Sequence, residues 1–362
     1  MTESSFQQLA ELPQYSLPQQ QKESLLLPVL NELTDHHRAR CAEYDRLVSL
    51  LHPSFSRAAS PEDIPFIPVG LFKTHALRSI PQEKVFKTLT SSGTTGQQVS
   101  QIFLDQETAR RQTMALGRIM THILGSERLP MLVIDSSALV RDRLRFSARA
   151  AGVLGMMNFG RQHCYALDEE MNLDETGLTS FLEKFGGKPF LIFGFTFMVW
   201  QYFFERIRNL GLDLSQGILV HSGGWKKLAE KAVSNAEFRR SFEEATRLKR
   251  IFNFYGMVEQ VGSVYVEGED GFLYPPNFAD VIVRDPVSMR ALPPGEPGLI
   301  QVLSALPLSY PGHSILTEDL GVIHAIDNSA CGRHGKAFSV IGRLPKSELR
   351  GCSDTHAVEA AA

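Results

Sequence analysis

Cysteine is scarce in this chain: Cys41, Cys164, Cys331 and Cys352 are all there are in 362 residues, and no two form a CxxC pair. That spacing excludes a disulfide framework and a cysteine zinc site, and it is what a reducing cytoplasm leads one to expect. Long hydrophobic runs are also missing. The most apolar stretch, Phe190 to Trp200, contains Gly194 and falls short of the about 20 residues a membrane helix needs, so it reads as core. Charge of one sign is not in excess, with 37 basic against 40 acidic residues and a net charge of −3, so neither nucleic acid nor anionic lipid is an expected partner. The opening MTESSFQQLAELPQYS has no basic region followed by an apolar one, so no secretory signal is expected. No internal repeat is visible.

What is present suits a large globular enzyme. With 43% hydrophobic residues the chain can bury a big core, in one large or two unequal domains. Leu25, Leu26, Val29, Leu30, Leu33, Tyr44, Leu47 and Leu51 recur near helical spacing and predict two packed helices, with His36 and His37 at a solvated helix end. PEDIPFIPVGLFK, with prolines at 61, 65 and 68, is expected to be extended. From Gln101 to Ala232 strand-like and helix-like segments alternate, which predicts a parallel α/β sheet. Beyond Ile251 short strands with turns take over, and Pro293, Pro294, Gly295 and Gly298 read as a connection between two of them. The expected division is a helical lead-in over 1–65, an α/β body over 66–312 and a short C-terminal segment over 313–362.

The densest functional signal is Leu89 to Gly96, LTSSGTTG, directly after strand-like Val85 to Thr88. Glycines turn backbone N–H groups inward and short hydroxyls add donors, so Thr90, Ser91, Ser92, Gly93, Thr94, Thr95 and Gly96 form a loop suited to a phosphate oxyanion. A surface turn is the other use of the same residues. No Gly-Lys-Ser/Thr follows, so this is not a Walker A loop.

The loop resembles the phosphate loop of the acyl-AMP-forming ligases, and other segments match that superfamily in order. His221-Ser222-Gly223-Gly224 resembles its adenine-binding turn, with Ser222, Gly223 and Gly224 approaching the base. Asn253-Phe254-Tyr255-Gly256-Met257-Val258-Glu259 resembles YGxTE, which implies Tyr255 and Gly256 at adenine and Glu259 on Mg²⁺; Val258 replaces the family's threonine. Thr317-Glu318-Asp319-Leu320-Gly321 resembles the ribose-binding segment, with Asp319 on the hydroxyls, and Gly342-Arg343 resembles the hinge to a mobile lid. Nineteen residues follow Arg343, so a lid of roughly a hundred residues, which would be domain-sized, is expected to be missing together with its lysine. Lys87, Lys226, Lys336 and Lys346 are replacements on charge alone. Asp135, Glu318 and His221 have no spacing that would make them an acid–base set.

The combination narrows to the acyl-protein synthetase (LuxE) family: PVGLFK at 68–73, LTSSGTTGQ with a following LD, YGMVEQ, TEDLG and IGRLPKSELRGC. That resemblance implies an adenylate-forming body of α/β class and activation of a fatty acid with ATP and Mg²⁺. It further implies transfer of the acyl group to Cys352 and delivery to a partner such as a reductase. A thiolate attacks an acyl adenylate readily, and the thioester keeps the energy for the next step. Phe195, Phe197 and Met198 are the acyl-pocket candidates, though such residues equally build plain core. Two other readings stay open. One is a biosynthetic ligase taking an aromatic or small acid with CoA or a carrier protein as acceptor. The other is a non-catalytic ATP-binding module.

Overall fold

A computed structural model describes residues 3–91, 98–141, 148–224 and 233–344. They fall into two compact units, one drawn from Met1–His122 and Gly256–Glu348, the other from Ile123–Tyr255.

The first unit opens with helices α1 (Glu3–Glu11), α2 (Gln19–Arg40) and α3 (Ala42–Leu51). The predicted helix pair is α2 and α3, which bury Leu26, Val29, Leu30, Leu33, Tyr44 and Val48 and are separated by an extended Cys41. The two histidines correct the expectation of a solvated end, because α2 runs past them to Arg40. His37 is fully buried; its Nε2–H donates to the Pro307 carbonyl (3.2 Å) and its Nδ1 meets the Ser79 hydroxyl (2.8 Å). It stacks on His313, whose Nε2 pairs with Thr34 Oγ1 at 3.0 Å. Burial lowers the pKa of both rings, that of His313 to about 3, so both are held neutral.

This pair gives the fold an acid-sensitive seam. Between the ordinary histidine value near 6.5 and about 3 the unfolded chain binds protons that His313 refuses, so stability falls as pH falls through that window. The expected slope is about 1.4 kcal/mol per pH unit for each such histidine. Urea unfolding at pH 7.5 and 5.0 measures it. His313→Gln should flatten the dependence, and an unchanged slope in that variant would remove His313 as its source.

The proline-rich stretch also departs from a plain extended segment. Asp63 accepts from both the backbone N–H (3.0 Å) and the hydroxyl (2.9 Å) of Ser60, closing a 3-10 turn over Pro61–Asp63. A two-residue strand β1 (Ile67–Pro68) and a single helical turn α4 (Leu71–Thr74) follow. Next comes a hairpin of β2 (Lys87–Thr90) and β3 (Gln101–Leu104), then α5 (Gln106–Leu124), which Asp105 caps by accepting from the Thr108 N–H at 2.8 Å.

The second unit contains β4 (Leu129–Ser136), α6 (Ala138–Arg141), α7 (Ala148–Met157), β5 (Gly160–Leu167), α8 (Glu175–Phe185) and β6 (Phe190–Phe195). It continues with α9 (Thr196–Met198), a π-helical Val199–Phe204, α10 (Glu205–Ile207), β7 (Gly217–Ser222), α11 (Asn235–Thr246) and β8 (Arg250–Tyr255). The five strands are all parallel, in the order β8-β7-β6-β4-β5. Every residue of β6 is buried, as strands covered on both faces must be. From Leu129 the alternation read from the sequence is thus a parallel sheet, whereas the Gln101–Leu104 strand counted in it pairs antiparallel with β2 in a separate hairpin; the helix expected over 225–232 lies outside the described residues.

The chain then completes the first unit with β9 (Tyr265–Glu267), β10 (Leu273–Tyr274), β11 (Ala279–Arg284), β12 (Gly298–Ser304), β13 (Ser314–Ile326) and β14 (Lys336–Arg343). They pair antiparallel in the order β11-β12-β13-β14-β10-β9, and β1 adds to β13 in parallel. The Pro293–Gly298 segment is the predicted connection, between β11 and β12. A buried charge cluster ties α2 to this sheet. Asp280, with no exposed surface, takes Lys22 at 3.3 Å, Lys336 at 3.0 Å and Gln19 Nε2 at 2.7 Å.

Candidate active site

In the first unit the hairpin of β2 and β3 presents the phosphate-loop candidates. Thr90 closes β2 opposite Gln101, and beyond it Ser91 pinches the base of the loop: its N–H donates to the Ser100 carbonyl (3.2 Å) and its hydroxyl accepts from the Ser100 N–H (2.9 Å). Ser92, Gly93, Thr94, Thr95 and Gly96 lie outside the described residues, as does Cys352.

Glu259 sits on a 3-10 turn (Val258–Gln260) and is only 6% exposed. The turn is fastened by its neighbour, because Gln260 Nε2 donates to the Val302 (3.1 Å) and Gly312 (2.9 Å) carbonyls. Gly312 has to be glycine: a Cβ there would strike the Tyr310 ring and stand 2.7 Å from the Glu259 carbonyl oxygen. Burial raises the Glu259 pKa, while the Ser100 hydroxyl and the charges of Lys73 and Arg343 pull it back. That hydroxyl is itself fully buried and has no well-formed hydrogen bond. Gln260 and Ser100 were missed by sequence reasoning; the Gln following YGxxE was the only local signal.

Asp319 and Arg343 face each other across β13 and β14, register partners joined by Arg343 Nε to Asp319 Oδ1 at 2.9 Å. The Thr317 hydroxyl accepts from the Asp319 N–H (3.1 Å) and donates to the Ile300 carbonyl (2.8 Å), which sets the strand at that point. The ribose and hinge candidates of the sequence are therefore a single ion pair.

In the second unit the candidates gather at the carboxyl ends of parallel strands, where open α/β sheets bind ligands. Ser222 ends β7 and is followed by Gly223 at φ +89°; Tyr255 ends β8 and is half-buried. Phe195 ends β6, Phe197 and Met198 follow it, and all three are packed, at 5%, 4% and 0% exposure. His221 donates to or accepts from Thr196 Oγ1 through Nδ1 (2.9 Å) and stacks on Phe238. Burial lowers its pKa to about 3, and its Nε2 has no partner. Asp135 pairs with Arg149 (3.4 Å), so no acid–base set forms with His221.

Residues 10–359 match the family model described as acyl-protein synthetase, LuxE. The chain belongs to that family. This LuxE-family protein is 21% identical to the long-chain-fatty-acid–luciferin-component ligase of Vibrio harveyi over 80% of its own length and 76% of the relative's. It is 22% identical to the Aliivibrio fischeri ligase of the same name over 81% and 77%. Its fold is similar to that of an open form of a 2-hydroxyisobutyryl-CoA ligase, with a TM-score of 0.68 at 17% identity over 91% of this chain and 77% of that one. The LuxE-family protein is an acyl-adenylate-forming ligase by family. Among the described residues no helix is long and apolar enough to cross a membrane.

The residues fit a magnesium ion that arrives with phosphate. Among the described residues no cluster of three His, Cys, Asp or Glu side chains would hold a metal unaided. Mg²⁺, however, needs only one or two carboxylates when phosphate and water complete its shell. Glu259 offers that carboxylate, and the buried Ser100 hydroxyl beside it can accept a hydrogen bond from a bound water.

Proposed function

We propose that this LuxE-family ligase uses ATP and Mg²⁺ to convert a long-chain fatty acid to its acyl adenylate and passes the acyl group to Cys352 and then to a partner protein, a reductase, in the cytoplasm. In the first step a carboxylate oxygen of the acid attacks the α-phosphorus and the bond to pyrophosphate breaks. In the second the Cys352 thiol gives its proton to water, the thiolate so formed attacks the acyl carbonyl, the bond from the acyl carbon to the phosphate oxygen breaks, and AMP leaves with its electron pair. The observation that carries the reading is the buried Glu259 carboxylate on a turn held by Gln260 and Gly312, in a chain whose named relatives are fatty-acid ligases.

Roles follow the side chains. Thr90, Ser91, Ser92, Gly93, Thr94, Thr95 and Gly96 hold phosphate. Glu259 holds Mg²⁺, which when bound neutralises phosphate charge. Asp319, oriented by Arg343, takes the ribose hydroxyls. Ser222, Gly223, Gly224, Tyr255 and Gly256 take adenine, and Phe195, Phe197 and Met198 wall the acyl chain.

The test is acid-dependent exchange of pyrophosphate into ATP with a panel of fatty, aromatic and short acids, for wild type and Glu259→Gln. Exchange with fatty acids, reduced about 10²-fold in the variant, is the expected result. A wild type that binds ATP but exchanges with no acid would overturn the reading in favour of a binding module. One observation favours a second reading. Buried Arg149 reaches Met198 Sδ at 3.9 Å and pairs with Asp135, polar groups better suited to a small functionalised acid than to an alkyl chain. Exchange confined to short or aromatic acids would select it, with CoA or a carrier as acceptor.

A further inference from the structure

We infer that Phe195 is a specificity-determining residue of the ligase: its ring, seated over Gly152 of α7, sets how long an acyl chain the enzyme activates. The inference rests on the proposed adenylation and deepens it, from the residues that wall the acyl chain to the one that limits it.

Strand pairing fixes the position. Phe195 ends β6 beside Ser222, its register partner at the end of β7. Side chains alternate between the two faces of a sheet, so register partners on parallel strands share a face and the residues next to them take the other. Thr196 and His221 are those next residues, and they meet each other at 2.9 Å, with His221 stacked on Phe238 of α11. On the Phe195 face the covering element is α7. A Cβ on Gly152 would stand 3.0 Å from Cζ at the tip of the Phe195 ring, and one on Gly223 would stand 3.6 Å from Cδ1 of the same ring. The ring thus reaches from the candidate adenine turn to the covering helix.

Gly152 lies inside α7, where alanine would be the better helix former. The ring accounts for the glycine, because a side chain there would press on it. One turn earlier on the same helix Arg149 stands 3.9 Å from Met198 Sδ, so α7 lies against two of the acyl-wall candidates, Phe195 and Met198. The short helix that carries Phe197 and Met198 runs directly into the π-helical Val199–Phe204. That form of helix is rare and concentrates at functional sites.

The chemistry gives the ring its role. In an acyl adenylate the acyl carbon is one phosphate away from the nucleoside, so the chain sets out beside the residues that hold the nucleotide. Ser222 and Gly223 are such residues in the proposed site, and the Phe195 ring is what a side chain on Gly223 would meet. A chain running from there under α7 gains from every methylene it buries until the ring stops it. In an apolar pocket one methylene too many or too few changes discrimination about 10–200-fold.

Phe195→Ala, Phe195→Leu and Gly152→Val are compared with wild type in the full-length chain. The readouts are acid-dependent pyrophosphate exchange over the straight-chain saturated acids from butyric to icosanoic, and thermal unfolding. Phe195→Ala should move the preferred acid about four carbons longer, into the room the ring vacates. For acids beyond the wild-type optimum its kcat/KM should rise about tenfold, with the change in KM. Phe195→Leu should move the preference part of the way. Gly152→Val should move it in the opposite direction, to shorter acids, because the new side chain drives the ring into the path of the chain. A loss of activity with the preferred acid unchanged in Phe195→Ala and Gly152→Val is what a plain core role gives, and it overturns the inference. A profile within about twofold of wild type at every chain length overturns it as well. If Phe195→Ala fails to fold, Phe195→Leu decides by the same criteria, and Gly152→Ala likewise replaces Gly152→Val. If wild type takes only short acids, Phe195→Ala should still admit longer ones. A wild type that exchanges with no acid condemns the proposed function instead, and calorimetric binding of the same acids to wild type and Phe195→Ala then decides for or against Phe195 by the same shift.

Discussion

Cys352→Ser abolishes acyl-protein formation and leaves acid-dependent pyrophosphate exchange within about twofold of wild type; this is the expected result when the first half of the reaction needs no thiol. A serine hydroxyl is not ionised near neutral pH and attacks a mixed anhydride far more slowly than a thiolate, so the loss should exceed about 10³-fold. Intact-protein mass after incubation with Mg²⁺, ATP and the acid identified by exchange reads the result directly. Wild type should gain one acyl mass that hydroxylamine removes, and the variant should gain none. A labile gain of equal size in Cys352→Ser would move the acceptor to Cys41, Cys164 or Cys331. No gain in either protein, with turnover only when CoA or a carrier protein is added, would sink self-acylation.

Asp280→Ala should be the most damaging single change to the fold among those considered. Burial alone would raise the Asp280 pKa, but Lys22 and Lys336 outweigh it and hold the carboxyl near 2. Removing the carboxylate leaves two ammonium groups in the core, 1% and 6% exposed, with their charge uncompensated. Breaking a buried pair in this way costs about 3–5 kcal/mol, which urea unfolding of wild type and variant would show as a lower midpoint. Asp280→Asn should lie between the two, since an amide still accepts one hydrogen bond. The pH sign follows from the lowered value. The stabilisation is complete above the unfolded carboxyl value near 3.8 and is lost as pH falls through about 2, a window that overlaps only the acid end of the histidine one. A variant within 1 kcal/mol of wild type, an effect ordinary for surface substitutions, would mean that the lysines find water or shed their protons at little cost.

Elements with a strong local pattern were legible without coordinates. The helices α2 and α3 announce themselves by apolar spacing, and Asp105 before α5 is an ordinary N-cap. The all-parallel second unit shows in its alternation of short apolar runs with helices. The candidate phosphate loop at Thr90 and Ser91 and the candidate metal turn at Glu259 stand out in the sequence for another reason. Glycine, hydroxyl and carboxylate in close succession reflect what a phosphate and a hard cation demand of any chain. Family membership rests on a match over residues 10–359.

The sequence by itself determined the fold class and the family, because each is encoded in ordered runs of a few consecutive positions. The tertiary structure alone decided which charges are available. Lys336, an open candidate on charge, is consumed by Asp280, 56 residues away in sequence, and Asp319 is bound to Arg343, 24 residues away. His37 looks like a solvated helix end until Pro307, 270 residues later, covers it. Burial and ion pairing depend on which distant segments come within a few ångströms, and desolvation and Coulomb energies, unlike helix or strand periodicity, leave no local trace in the order of residues.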